Sequence, residues 1–327
     1  MTIYDVHAHC VPLGLLDELR RDRTAFGAEV LDGGSGPRIS FAGGPTTRPV
    51  RADLMEFESR LVDMDEARVD VQILSSWIDL TGYGLPGDVA VRYARMFNDA
   101  LANTVAGHSD RFLGLCNVPL QDPAAAATEL VRAVVDEGFV GAEIATSVEE
   151  LPLGDPGLDP FWAAAAELRC PILIHPSYVP AAGGHLDLIE NVVGRPAATT
   201  TAMAHIVFGG VLERFPELRL VLVHGGGFVP WQVARWDQGI RGAAKQSPPS
   251  SQLGNVYHDA LLFDPKVVGY LIDWAGADRV LLGTDYPFPS GDLRPVDTLD
   301  AVADLTDEQR RAIEGENVAR LLAGICR

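Results

Sequence analysis

Short apolar, β-branched runs alternate with longer stretches of amphipathic spacing along almost the whole chain. Eight such runs recur, at residues 3–9, 69–75, 111–118, 139–146, 171–175, 218–224, 255–261 and 280–285. Their length and composition predict strands. Between them, apolar positions spaced by about 3.6 residues predict helices over 54–67, 89–106, 123–137, 160–168, 200–215, 265–274 and 307–322. Strand and helix in regular alternation define an α/β fold and predict a (β/α)8 TIM barrel occupying 1–327 as a single domain. An open doubly wound sheet is the alternative, but no G-x-G-x-x-G follows the first run.

Local punctuation supports these elements. Asp122-Pro123 sets a capping residue before a proline at the first helical position, and Thr306-Asp307-Glu308 opens the last helix with acidic residues near its positive dipole end. Residues 11–51 break the alternation. They hold Gly33-Gly34-Ser35-Gly36-Pro37 and Gly43-Gly44-Pro45, turn signals on either side of the β-like Arg38-Ile39-Ser40-Phe41. This stretch is expected to form a small inserted hairpin subdomain over the barrel mouth. A surface loop is expected at 246–251.

With 47% hydrophobic and 22% charged residues, the chain has material for a large buried core. No run of about 18 apolar residues is present and no basic-then-apolar leader precedes the first strand, so a cytoplasmic protein without a membrane partner is expected. The 45 acidic residues outnumber 26 basic ones, for a net charge of −19, a field that repels nucleic acid and anionic membrane. An anionic substrate must therefore be captured by particular arginines. The four cysteines, Cys10, Cys116, Cys170 and Cys326, contain no C-x-x-C pair and are read as packing residues.

The chemistry gathers at the ends of the runs. The first ends in His7 and His9, the fifth in His175-Pro176, the sixth in His224-Gly225-Gly226-Gly227 and the eighth in Gly283-Thr284-Asp285-Tyr286-Pro287. Alternation along a strand points His7 and His9 the same way, and the C-terminal strand ends of a barrel converge on one mouth. His7, His9, His175 and Asp285 are thus candidate ligands for one divalent metal ion, zinc or alternatively manganese. His224 is then the candidate proton carrier beside water on that ion, with Asp285 a second group able to move a proton. Only two lysines occur, Lys245 and Lys266, so the fourth run carries no lysine to bridge a second ion. Glu143 lies there instead and is read as structural. The expected stoichiometry is one ion per chain.

Asp5-x-His7-x-His9, His175-Pro176, His224-Gly-Gly-Gly and Thr284-Asp285-Tyr286-Pro287-Phe288-Pro289 together resemble the amidohydrolase superfamily, in its branch typified by aminocarboxymuconate semialdehyde decarboxylase. The similarity extends through Arg195-Pro196-Ala197-Ala198-Thr199-Thr200 and Gly210 to Pro216. The resemblance implies a distorted barrel with a mononuclear metal centre. It also implies two substrate-holding arginines: Arg48, in an Arg-Pro-Val context with Arg51 as the fallback, and Arg235, eleven residues beyond His224 and lent to the neighbouring active site of a homodimer. Arginine suits bidentate carboxylate recognition. One departure stands out: the family decarboxylase follows its His-Pro with Trp-Asp-Met, whereas this chain has Ser177-Tyr178-Val179.

The expected activity is metal-dependent, non-oxidative decarboxylation of a carboxylated unsaturated or aromatic acid, with a compound like 2-amino-3-carboxymuconate 6-semialdehyde as the expected substrate. A hydrolase of a lactone, amide or ring carbonyl would use the same site. A silent binding barrel is disfavoured by the intact ligand set and His224. His108, His185, His205 and His258 fall outside the strand-end pattern and are read as structural or solvent-exposed.

Overall fold

The computed structural model describes residues 1–177, 185–241 and 247–326. Eight parallel strands form one sheet in sequence order: β1 (Tyr4–Cys10), β4 (Val71–Ser76), β5 (Phe112–Cys116), β6 (Gly141–Ala145), β9 (Pro171–His175), β10 (Arg219–Leu222), β11 (Val256–Asp259) and β12 (Val280–Leu281). The intervening β2 (Ala28–Leu31) pairs antiparallel with β3 (Arg38–Phe41), and the short β7 (Ser147–Val148) with β8 (Leu151–Pro152). The sheet closes where the first and last strands meet. Val6 N donates to Leu282 O at 3.0 Å, Asp285 N to His7 O at 2.8 Å and His9 N to Tyr286 O at 2.7 Å. The expected barrel is therefore present, with each of the eight apolar runs contributing one strand.

Strand β1 carries a register irregularity against β4: Asp5 lies opposite Gln72 and Ala8 opposite Leu74, so β1 spends one extra residue over that interval. A bulge resets the alternation of side chains. Val6 can then join the barrel floor while His7 and His9 both turn to the cluster above it. That floor is built from Val6, Ile73, Leu115, Leu173, Val221 and Leu281, one residue from each of six strands, and is sealed below by Val318 and Leu321 of the last helix. It is a packed plug, leaving polar chemistry only at the C-terminal rim.

The helices follow the amphipathic spacing, with differences at their ends. The helix Phe57–Glu66 starts later than the pattern at 54–67, because Ala52–Leu54 forms a separate 3-10 turn. The stretch 200–215 is two helices, Arg195–Phe208 and Val211–Arg214, split at Gly209-Gly210, where Gly210 takes a left-handed φ of 70°. The last helix passes through a π turn at Ala312–Glu316. Thr306 opens it as expected and accepts from Gln309 N in a full capping box, and Asp122 caps its helix as expected, accepting from Ala125 N. Of the loop expected at 246–251, residue 246 lies outside the described residues, and 3-10 turns begin at Pro249. Among the described residues no helix is long and apolar enough to cross a membrane.

Leu173 is 1% exposed in the centre of the floor. Leu173→Ala is expected to destabilise the fold by about 2–5 kcal/mol, seen as a lower urea midpoint with an unchanged m-value.

Candidate metal centre

Three buried imidazoles are each held by the nitrogen that points away from the cavity. His7 Nδ1 donates to Asp259 Oδ2 at 2.8 Å, His9 Nδ1 to Ser76 O at 2.9 Å and His175 Nδ1 to Pro176 O at 3.0 Å. Backbone carbonyls accept only, so the Nδ1 atoms of His9 and His175 carry the proton; the Asp259 carboxylate sets His7 the same way. All three Nε2 atoms are left with lone pairs directed inward. Burial also lowers the affinity of His7 and His175 for a second proton, in His175 to well below the ordinary imidazole range.

Those lone pairs face one another and a carboxylate. His7 Nε2 lies 3.2 Å from His9 Nε2, while Asp285 Oδ1 sits 3.4 Å from His7 Nε2 and 3.1 Å from His9 Nε2. His7, His175, His224 and Asp285 offer donor atoms that all fall within 4.8 Å of one another. Among the described residues, His175 Nε2 and Asp285 Oδ1 are buried without a hydrogen-bond partner. Electron-rich atoms so crowded repel one another, and a divalent cation among them outweighs that repulsion by attracting each donor. The donor set therefore fits a metal ion. Burial pushes the Asp285 carboxyl up, but the imidazoles of His224 and His9 hold it well below the usual carboxylate range.

His224 differs from the other three. Its side chain is 18% exposed, its Nε2 is 3.8 Å from Asp285 Oδ2, and among the described residues its Nδ1 has no partner. It leaves β10 in a left-handed conformation, φ 55°, and Gly225, Gly226 and Gly227 continue with φ between 62° and 79°. A side chain at Gly227 would place its Cβ 2.3 Å from Pro196 O, so only glycine lets this turn pack on the helix Arg195–Phe208. Asp285 also has a left-handed φ, 59°. Non-glycine residues held so are strained, and both of these are in the cluster.

The expected site residues divide into two groups. His7, His9, His175, His224 and Asp285 come together. Arg48 reaches the same cavity, of about 400 Å³, which it lines with His175, Asp285 and Trp77. Its Nε and Nη2 donate to the two oxygens of Asp79, both at 3.0 Å, and its guanidinium lies over the Trp77 ring at 5.1 Å. Arg51 is at that cavity too, tied to Asp53. Arg235 stands apart, exposed on the outer helix Val229–Gly239. Ser177 borders a different cavity, beside Ile78 and Asp79, whereas Tyr178 and Val179 lie outside the described residues.

Three further buried residues serve the cluster. Asp259 holds His7 and also accepts from Gly225 N at 2.8 Å, joining an imidazole to the turn that carries His224. Burial pushes its carboxyl up, but the His7 hydrogen bond, the His7 and His224 imidazoles and the Gly225 N–H together leave it below its ordinary range. Arg60, fully buried, donates to His9 O at 2.7 Å. Glu143 lies 3.7 Å from His9 Nδ1, and burial pushes its carboxyl up to about 8. Nothing in the spacing of these residues marks them, since their partners are distant in sequence.

These features define a (β/α)8-barrel protein with an imidazole and carboxylate cluster at the C-terminal rim. The amidohydrolase family model matches residues 4–323, and the chain belongs to that family. It is similar to 2-amino-3-carboxymuconate-6-semialdehyde decarboxylase of Dictyostelium discoideum, 29% identical over 282 residues that cover 84% of this chain and 79% of that one. It is 30% identical over 259 residues to gamma-resorcylate decarboxylase of Rhizobium sp. strain MTP-10005, covering 72% of this chain and 78% of that protein. A dihydroxybenzoic acid decarboxylase from Polaromonas sp. JS666, solved with manganese and 2-nitroresorcinol bound, shares the fold with a TM-score of 0.77 at 22% identity, covering 98% of this chain and 97% of that one.

Asp259→Asn is expected to weaken metal affinity 10- to 100-fold while leaving the fold intact, measured by competition with a chromophoric chelator. A second expectation concerns His258, buried edge-on against Trp274 with its Nδ1 lacking a partner among the described residues. Burial lowers its pKa from 6.5 to about 4. The unfolded chain therefore binds the extra proton first, and the stability present above pH 6.5 is lost as pH falls toward 4. His258→Gln should flatten that decline in thermal melts recorded across the interval; an unchanged slope would refute the assignment.

Proposed function

We propose that this chain is a metal-dependent, non-oxidative decarboxylase of a carboxylated unsaturated or aromatic acid, with 2-amino-3-carboxymuconate 6-semialdehyde the best single candidate. The observation that carries this reading is the set of inward Nε2 lone pairs around Asp285, with His224 beside them and partly open to the cavity. The curated relatives, decarboxylases of carboxylated substrates, point the same way.

His7, His9, His175 and Asp285 would hold one divalent ion per chain. Three nitrogens to one carboxylate favour zinc, although the Polaromonas neighbour contains manganese. When bound, the ion supplies positive charge that stabilises negative charge developing on the substrate. The remaining work falls to side chains. Arg48, aimed by Asp79 and Trp77, orients a substrate carboxylate in the cavity it shares with Asp285. As the carbon–carbon bond to the departing carboxylate breaks, its electron pair stays on the substrate carbon, which takes one proton from His224 Nε2 and leaves carbon dioxide as the other product.

In this reading the active form is a homodimer in which Arg235 completes the partner's site. Arg235 is exposed one helical turn from Trp231, which is itself 54% exposed, and Val192 and Phe263 extend this apolar rim around one cavity. The cytoplasm is taken as the compartment, in keeping with the buried free thiols of Cys10, Cys116 and Cys170.

The test is carbon dioxide release from 2-amino-3-carboxymuconate 6-semialdehyde and gamma-resorcylate, with metal analysis on the same sample. One ion per chain and stoichiometric carbon dioxide are expected. His224→Ala should lower kcat by about 10²–10⁴ with the ion retained. Consumption of substrate without carbon dioxide would replace the decarboxylase by a hydrolase, and two ions per chain would overturn the mononuclear site.

A further inference from the structure

Arg60 is fully buried, and among the described residues it makes no ion pair with a carboxylate. Its acceptors are neutral: one guanidinium nitrogen, Nη2, donates to His9 O at 2.7 Å and the other, Nη1, to Gln72 Oε1 at 3.2 Å. Its Nε has no partner among the described residues. A buried cation without an opposite charge costs a fold stability, so stability alone does not explain its place.

The guanidinium joins the two halves of the donor set. On one side it holds the carbonyl of His9, and on the other it lies over the Tyr286 ring, 4.5 Å from the centroid. Tyr286 directly follows Asp285 in the chain. Three residues along the same helix, Asp63 Oδ2 accepts from the Tyr286 hydroxyl at 2.7 Å. The helix Phe57–Glu66 therefore grips this ring at its face and at its hydroxyl, while His9 N donates to Tyr286 O at 2.7 Å.

Asp285 depends on its neighbours for its conformation. A φ of 59° is strained for a residue with a side chain, and such strain persists only where the surroundings over-determine it. Arg60 and Asp63 fix the residue that follows it, and the same arginine fixes the backbone of His9, whose Nε2 lies 3.1 Å from Asp285 Oδ1. We infer that the helix Phe57–Glu66, which lends no ligand, is a positioning element of the metal centre: Arg60 and Asp63 set the spacing between the His9 imidazole and the Asp285 carboxylate, and with it the affinity for the ion. This rests on the ligand set proposed above and is independent of the reaction that the site performs.

The test is the zinc affinity of folded variants, measured by competition with a chromophoric chelator, with circular dichroism and urea unfolding as the control for folding. Tyr286→Phe keeps the ring under Arg60 and loses the bond to Asp63, and Asp63→Ala removes the same bond from an exposed position on the helix. Each should weaken zinc ~10-fold, and the double variant should be no weaker than either single one, because both remove one interaction. Arg60→Met should weaken zinc ~10- to 100-fold, and Arg60→Lys, which can reach one acceptor but not span both, should recover part of the loss. A merely structural helix would lower the urea midpoint and leave the zinc affinity of the folded protein where it was. Zinc affinity within twofold of wild type in Tyr286→Phe and Asp63→Ala, or additive losses in the double variant, would overturn the inference, and these two variants decide it even where Arg60→Met does not fold. A wild-type protein that holds no zinc would instead sink the ligand set itself.

Discussion

The cluster exists because the first and last strands of the barrel are locked together at one buried carboxylate. Asp5 is fully buried, and its oxygens accept from His7 N at 3.0 Å, Thr284 N at 3.0 Å, Thr284 Oγ1 at 2.6 Å and Gln72 Nε2 at 2.9 Å. Two strands and a loop meet on this side chain: its own strand, the neighbouring β4, and the segment after β12 that leads to Asp285. Burial pushes its carboxyl up to about 6, and the four donors hold it there against a larger rise. An apolar residue at this position would strand several donors, each costing about 1–3 kcal/mol. It would also release the alignment that sets His7 and His9 opposite Asp285, so barrel closure and cluster geometry are one constraint.

Most of the architecture is readable from local pattern because a barrel is made of local repeats. Each strand and its following helix announce themselves by period, and the chemistry lies at strand ends, where His7, His9, His175, His224 and Asp285 stand in the sequence itself. What local pattern cannot carry is pairing across distance. His7 and Asp259 are separated by 252 positions, and Asp259 lies in an apolar run that gives no sign of its partner. The bulge in β1 is hidden for a related reason: simple alternation predicts that His7 and His9 share a face, and the extra residue is visible only in the register with β4. The break at Gly209-Gly210 escapes because the apolar spacing continues in phase across it.

The charge distribution separates long-range from short-range recognition. A net charge of −19 disfavours the approach of any anion, so binding depends on fixed cations in cavities from which water is partly excluded. On the proposed reading Arg48 is prepared for this by two hydrogen bonds to Asp79 and by its place over the Trp77 ring, which restrict its rotamers. Fixing a guanidinium in advance lowers the ordering cost of binding.

On the proposed reading, His224 owes its distinct role to what it lacks. The other three imidazoles have an outward nitrogen saturated by Asp259, Ser76 O or Pro176 O, and that bond fixes both tautomer and orientation. Among the described residues His224 Nδ1 has no such partner, and its backbone is held in a strained left-handed turn, so neither ring nitrogen is committed to a single tautomer. A ligand must not exchange protons, and a proton carrier must. On the proposed reading the second hydrogen bond of each ring divides the two tasks: where the fold supplies an acceptor the imidazole is fixed in orientation as a ligand, and where, among the described residues, it supplies none the ring stands at the edge of the cavity as the proton carrier.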